Sequence, residues 1–158
     1  MYSSNLQVFL KQYQIDFSNC RIKVEDIPIF EEHLGTKFCQ QLKNYLLEYG
    51  YIGYKSFEML GINRKQYFES DMVKETLAFY ELCPEYKGKA VVVFKNDKDD
   101  FYILEEDNHI VRVLTGGNAG VFISTHLTLE GFIEFELGCC VSFKTEERQD
   151  RLFNIMID

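Results

Sequence analysis

Tryptophan is missing from the 158 residues, and proline occurs only twice. With so little proline, almost every backbone N–H stays available for helices and paired strands. No apolar run approaches the length that spans a bilayer, and no unbroken apolar core follows Met1. Neither a membrane span nor a secretory leader is therefore expected. An excess of cations is missing as well: 17 Lys and Arg face 25 Asp and Glu, a formal charge of -8. A phosphate backbone calls for clustered cations, which argues against nucleic acid as a direct ligand. The same charge would attract a basic protein. The five cysteines are odd in number, and no Cys-x-x-Cys pair occurs. That suits reduced, buried thiols in a cytoplasmic protein better than a disulfide framework.

What is present belongs to a folded domain: 46% hydrophobic and 15% aromatic residues, drawn from Tyr and Phe. The length suits one domain over residues 1–158, able to bury its core without a disulfide or a metal. Leu6, Phe9, Leu10 and Tyr13 recur at helical spacing. A short helix is expected from Glu25 to Leu34, with Pro28 in its first turn and Gly35 as its stop. A second should run from Thr36 to Tyr49 and end at Gly50, and "GYKSFEML" reads as a strand. Ser70 is a candidate N-cap for a helix through Val73, Leu77 and Tyr80, closed by Pro84.

The register then changes to β-branched and aromatic runs, "AVVVFK", "FYILEE", "IVRVLT" and "VFIST", with short polar connections. Such connections imply hairpins. Thr128 should cap a last helix carrying Leu129, Phe132 and Ile133 and ending near Gly138. The fold class expected is α+β: an antiparallel sheet of about five strands, mostly a meander, packed with N-terminal, middle and C-terminal helices.

"EEHLGTKFC" gathers two glutamates, a histidine and a cysteine in nine positions. His33 and Cys39 fall on either side of the expected helix stop, with no second His or Cys within a turn of either. The stretch therefore reads as a helix–turn–helix joint, with no metal and no cofactor expected. Cys139 or Cys140 with His126 could furnish a hydrolase if the fold joined them, although no local nucleophile motif supports it. "GGNAG" lacks the Gly-Lys-Ser/Thr of a phosphate loop and reads as a turn. The acidic turns are the candidate partner-binding residues: Asp97, Asp99 and Asp100 in one, Glu105, Glu106 and Asp107 in the next. Charged turns are ordinarily solvated surface; as a negative patch they would steer a basic protein. Tyr51, Tyr54, Tyr67 and Tyr102 are candidate aromatic anchors for such a partner.

Residues 27–53, "IPIFEEHLGTKFCQQLKNYLLEYGYIG", resemble the opening signature of the SUKH superfamily, the Smi/Knr-type fold. Ile29, Glu32, Leu34, Gly35, Tyr45, Leu46, Gly50 and Gly53 fill its places. "THLTLEGFIEFELG" is similar to the family's last helix with its Phe-x-x-Phe repeat, here Phe132 and Phe135. The resemblance covers residues 24–138. It departs at Phe38–Cys39, where the family carries Leu-Pro, and in a more widely spaced glycine cluster. These motifs are glycine stops and core positions. The resemblance implies a non-catalytic cytoplasmic binding protein, either an immunity protein that occludes a toxin domain such as a nuclease or a regulatory scaffold module. The implied partner is a basic protein, and the implied state a monomer or a homodimer.

Overall fold

A computed structural model describes residues 4–12, 21–54, 56–62, 66–117 and 119–140. Tyr13, Cys20 and the segment from residue 141 onward lie outside the described residues. Helix α1 (Ser4–Gln12) buries Leu6 and Leu10. A 3-10 turn (Val24–Asp26) leads into α2 (Ile27–Leu34), whose first turn holds Pro28. Gly35 ends α2 at φ +67°, the left-handed region where a residue without Cβ carries no penalty. Its N–H bonds Glu32 and the Thr36 N–H bonds Glu31, two carbonyl acceptors that the helix itself leaves open.

The helix expected from Thr36 starts instead at Gln40, as α3 (Gln40–Glu48). Residues 36–39 are drawn out because side chains satisfy them. The Glu31 carboxylate accepts the buried Phe38 N–H at 2.7 Å. The Thr36 hydroxyl meets the Tyr80 hydroxyl at 2.5 Å and accepts the Gly88 N–H at 3.1 Å. Tyr80 also donates to the Ala90 carbonyl. Local propensity favoured an earlier helix start; these tertiary bonds override it.

"GYKSFEML" is a tight hairpin rather than one strand, β1 (Gly53–Tyr54) against β2 (Phe57–Glu58). Helix α4 (Asp71–Leu82) follows. Ser70 has extended N-cap geometry, yet its hydroxyl donates backward to the Tyr67 carbonyl at 2.6 Å. The helix runs through Val73, Leu77 and Tyr80 as expected; Leu77 is exposed, and Met72, Val73, Thr76, Phe79 and Tyr80 form the buried face.

The meander forms in chain order: β3 (Ala90–Lys95), β4 (Phe101–Glu105), β5 (Val111–Val113) and β6 (Phe122–Ser124), all antiparallel. There are thus six strands in two sheets among the described residues, where about five were expected. Helix α5 occupies residues 129–140, running past Gly138, and the Thr128 hydroxyl caps it by accepting the Gly131 N–H at 3.2 Å. The class is α+β.

The four-stranded sheet is covered on both faces. Ala90, Val92, Phe101, Ile103 and Val113 point toward Phe79 and Tyr80 of α4. Val91, Val93 and Leu104 point the other way, into a larger core with α1, α2, α3 and α5. Strand residues alternate faces, so burial on both sides explains why β3 is a continuous apolar run. Between Val92 and Phe94 the pairing skips one residue, a bulge. Val93 and Phe94 consequently both serve the larger core, and the strand bends where it meets the β1–β2 hairpin. The Leu60 N–H bonds the Val93 carbonyl at 3.0 Å across that junction.

Candidate acidic cleft

At the bend of β3 the chain leaves a cleft of about 750 Å³. Four elements build it: the β1–β2 hairpin, the start of α4, the β3–β4 turn and the end of α5. Among the described residues its lining includes Glu58, Asp71, Glu75, Asp97 and Glu136, five carboxylates, against one ammonium, that of Lys95. Its apolar lining includes Phe57, Phe94 and Tyr102. These rings hold one another, Phe57 to Phe94 at 5.4 Å and Phe94 to Tyr102 at 5.1 Å between centroids. Phe132 braces both Phe94 and Tyr102 from α5, each at 5.4 Å. The bulge is what lets Phe94 reach this layer.

The charges are not equivalent. Lys95 lies 3.1 Å from Glu75 and 3.7 Å from Asp99, so one cation already serves that wall. Burial pushes the Glu136 carboxyl above its ordinary range. A carboxylate that has lost water gains more from an incoming cation than one fully solvated. Asp71 sits in the first turn of α4, where the helix dipole favours its negative charge. The aromatic layer offers π-faces to a cation, as Tyr102 does to the Arg112 guanidinium at 5.9 Å. A site of this make-up suits the extended stem and charged head of a lysine or arginine.

The structure divides the acidic residues singled out in the sequence. The turns at Asp97–Asp100 and Glu105–Asp107 lie at opposite ends of β4, about 17 Å apart for a strand of this length. They do not make one patch. Asp97 lines the cleft and Asp99 stands on its rim beside Lys95. Asp100 points inward: its carboxylate accepts from Arg112 at 2.7 and 3.1 Å, from the Thr115 N–H at 3.1 Å and from Asn96 at 3.2 Å. It pins the β3–β4 turn to β5. Glu105 is half-buried and Glu106 exposed at the far end. Asp107 accepts the Gln41 N–H at 3.0 Å and so caps α3 from a distant turn. Of the tyrosines, Tyr102 lines the cleft, Tyr51 and Tyr54 are half-buried, and Tyr67 packs on Phe30.

Asp100 has a measurable consequence. The Arg112 bonds, then the Thr115 N–H, hold its carboxyl down at about 2, below the 3.8 of a free aspartate. Its contribution is whole above the unfolded value and disappears as pH falls through the folded one. Thermal melts from about pH 4 down to about pH 2 should show this loss in the native chain. Asp100→Asn should flatten that part of the curve and cost several degrees of Tm near neutrality. An unchanged acid limb in the variant would contradict the assignment.

The remaining motif residues are mostly structural. Leu34, Tyr45 and Leu46 are buried, and the Tyr45 hydroxyl donates to the Leu60 carbonyl at 2.8 Å. Gly50 is left-handed at φ +71°, whereas Gly53 begins β1 without a positive φ. Glu32 is exposed and its neighbour Glu31 turns inward; Ile29 too is exposed. Phe132 is buried, while Phe135 is 57% exposed. Arg112, Gln41 and Glu136 carry structural or site roles that the sequence reading did not single out, and Glu31, seen there only as part of a helix–turn–helix joint, holds residue 38 in place.

No histidine lines the cleft, although Cys140 does. His126 follows β6 at the opposite end of the sheet, so Cys140 and His126 are not brought together. Burial pushes the Cys39 thiol up to about 11 and raises Cys83, which keeps both as weakly nucleophilic thiols. Among the described residues no helix is long and apolar enough to cross a membrane.

A comparison with protein families matches residues 9–117 to the SUKH_5 model, described as SMI1-KNR4 cell-wall. A search of curated proteins returns no match. The matched stretch spans well over half of the chain and includes α2, α3, the β1–β2 hairpin, α4 and the first three strands of the meander.

Proposed function

Because the chain belongs to the SMI1-KNR4 family of SUKH proteins, we propose that it is a binding protein whose acidic cleft seats a basic side chain of a protein partner. In the form best suited to its charge, the partner is a toxin domain such as a nuclease, and this chain is its immunity protein, working in the cytoplasm. The observation that carries the reading is the composition of the cleft: five carboxylates, one ammonium and an aromatic layer among its described lining residues. A toxin that grips nucleic acid presents Lys and Arg around its catalytic groove. Occupying that groove with carboxylates blocks substrate by bulk and by charge, without chemistry on the toxin. Cys39 and Cys83, which form no disulfide, are in keeping with a reducing compartment.

The test is co-expression with a toxin encoded beside this gene, followed by affinity measurements on the purified pair. Glu58→Lys with Glu136→Lys should weaken the complex by about 100-fold and abolish rescue of the cells. The association rate of the unaltered pair should fall steeply with added salt. Glu106→Lys, at the far end of the sheet, should leave affinity within about twofold. Equal loss from the two sites would point to net charge alone and sink the cleft as the contact. A neighbourhood without a toxin-like gene favours the second reading, a regulatory scaffold that holds a basic segment of a cellular protein in the same cleft.

A further inference from the structure

Two of the three histidines in the chain meet at the sheet end remote from the cleft. His109 lies two residues before Val111 and His126 two after its partner Ser124, just beyond the last β5–β6 pair. Their rings stand 6.4 Å apart between centroids, nearly edge to face, and both residues are exposed.

The backbone beneath them is held in place. Ile110 donates to the Leu127 carbonyl at 2.8 Å, and its own carbonyl accepts from the Thr125 N–H at 2.9 Å and the Thr125 hydroxyl at 2.7 Å. The Leu127 N–H returns to the Thr125 hydroxyl at 3.2 Å, and the His126 N–H to the Ser124 hydroxyl at 3.1 Å. Within this frame His126 itself is left-handed at φ +60°, a conformation that costs a residue with Cβ. Histidine is among the side chains that enter this region more readily than most. The feature that needs a reason is that it stands there beside a second exposed histidine.

We propose that His109 and His126 form a cross-strand clamp for a divalent ion that prefers imidazole nitrogen, zinc, nickel or copper(II), with water filling its remaining positions. An imidazole nitrogen binds such ions at about 2.0–2.1 Å, and the centre of its ring lies roughly 1 Å farther back. Two rings bridged by one ion therefore have centroids from about 4.5 Å apart, with a right angle at the metal, to about 6 Å with the nitrogens opposed. The observed 6.4 Å lies just beyond that span, so both exposed side chains must rotate toward each other to close on an ion. Hard oxygen-seeking ions such as magnesium have no reason to prefer this pair. The clamp is independent of the acidic cleft and ties the entrance of β5 to the exit of β6.

The probe is nickel(II) alone, titrated into the full chain by calorimetry, with thermal melts in parallel. Nickel should bind with unit stoichiometry at the pair and raise Tm, while magnesium should do neither. His109→Asn should weaken nickel binding by roughly tenfold or more, because one imidazole leaves no chelate. His126→Gly should do the same yet hold or raise the metal-free Tm, since glycine adopts the left-handed backbone freely. That second variant separates loss of the clamp from loss of the fold. All variants keep every cysteine, so thiol binding is common to the whole series. A double variant His109→Asn, His126→Gly that binds nickel as tightly as the parent would overturn the proposal, as would an equal Tm rise with magnesium.

Discussion

Phe132→Ala should lower the free energy of unfolding by about 3–5 kcal/mol. Phe135→Ala, three positions on, should change it by no more than about 0.5 kcal/mol. Phe132 is 2% exposed and its ring touches both Phe94 and Tyr102, so its removal empties the space between α5 and the bulged end of β3. A cavity there is hard to refill, because the bulge fixes the backbone on one side and the α5 backbone bounds the other. Phe135 lies 57% open to solvent, and truncating it deletes little buried area. Denaturant unfolding of the two variants side by side measures the difference. Equal losses would mean that α5 packs through a different face. Since Phe94 and Tyr102 line the cleft, Phe132→Ala should also, under the proposed function, weaken partner binding more than its effect on folding accounts for.

The second large effect belongs to a glycine. Gly61→Ala should cost about 3 kcal/mol or more, or prevent folding altogether. A Cβ at this position would run into the Gly50 carbonyl oxygen, with the Gly50 carbonyl carbon and Tyr51 Cα close behind. All three are backbone atoms, so no rotamer change relieves the overlap. The Gly61 carbonyl also accepts the Met72 N–H at 3.3 Å, so displacing residue 61 disturbs the entrance of α4. Gly116→Ala is the control: nothing lies within 4 Å of its Cβ position, and stability should hold. If both variants melt with the parent, the approach of Gly61 to Gly50 is not as the structure has it.

Gly61 also illustrates what sequence can and cannot convey. A glycine between a strand and a helix reads as loop; that another backbone passes against it is a matter of three dimensions. The meander was legible because β-branched runs and short polar turns are local signals. Gly35 as a stop and Thr128 as a cap were legible for the same reason. The start of α3 was not, since Glu31, Tyr80 and Gly88 reach residues 36–38 from elsewhere in the chain. The acidic residues were visible as a group, but the group was drawn along the sequence. Strand direction separates Asp97 from Glu106, while folding unites Asp97 with Glu58, Asp71 and Glu136 from other elements. Asp100 looked like its neighbours, and only its partner Arg112, one strand over, makes it an interior residue. The cleft is thus an assembly of long-range neighbours, which no periodicity announces.

Gln41 joins three remote parts of the chain. Its N–H meets Asp107 at 3.0 Å, its side-chain amide donates to the Asn108 carbonyl at 3.2 Å, and the amide oxygen takes the Leu129 N–H at 2.9 Å. During synthesis, which proceeds from the N-terminus, this knot cannot be tied until residue 129 has cleared the ribosome. The front half must wait as an unfinished, sticky intermediate. A polypeptide stopped at residue 117, where the family match ends, would lack Leu129, Phe132, Ile133 and Leu137, and its larger core would lie open on one side. Helix α5 is therefore the latch that decides when the nascent chain closes its larger core.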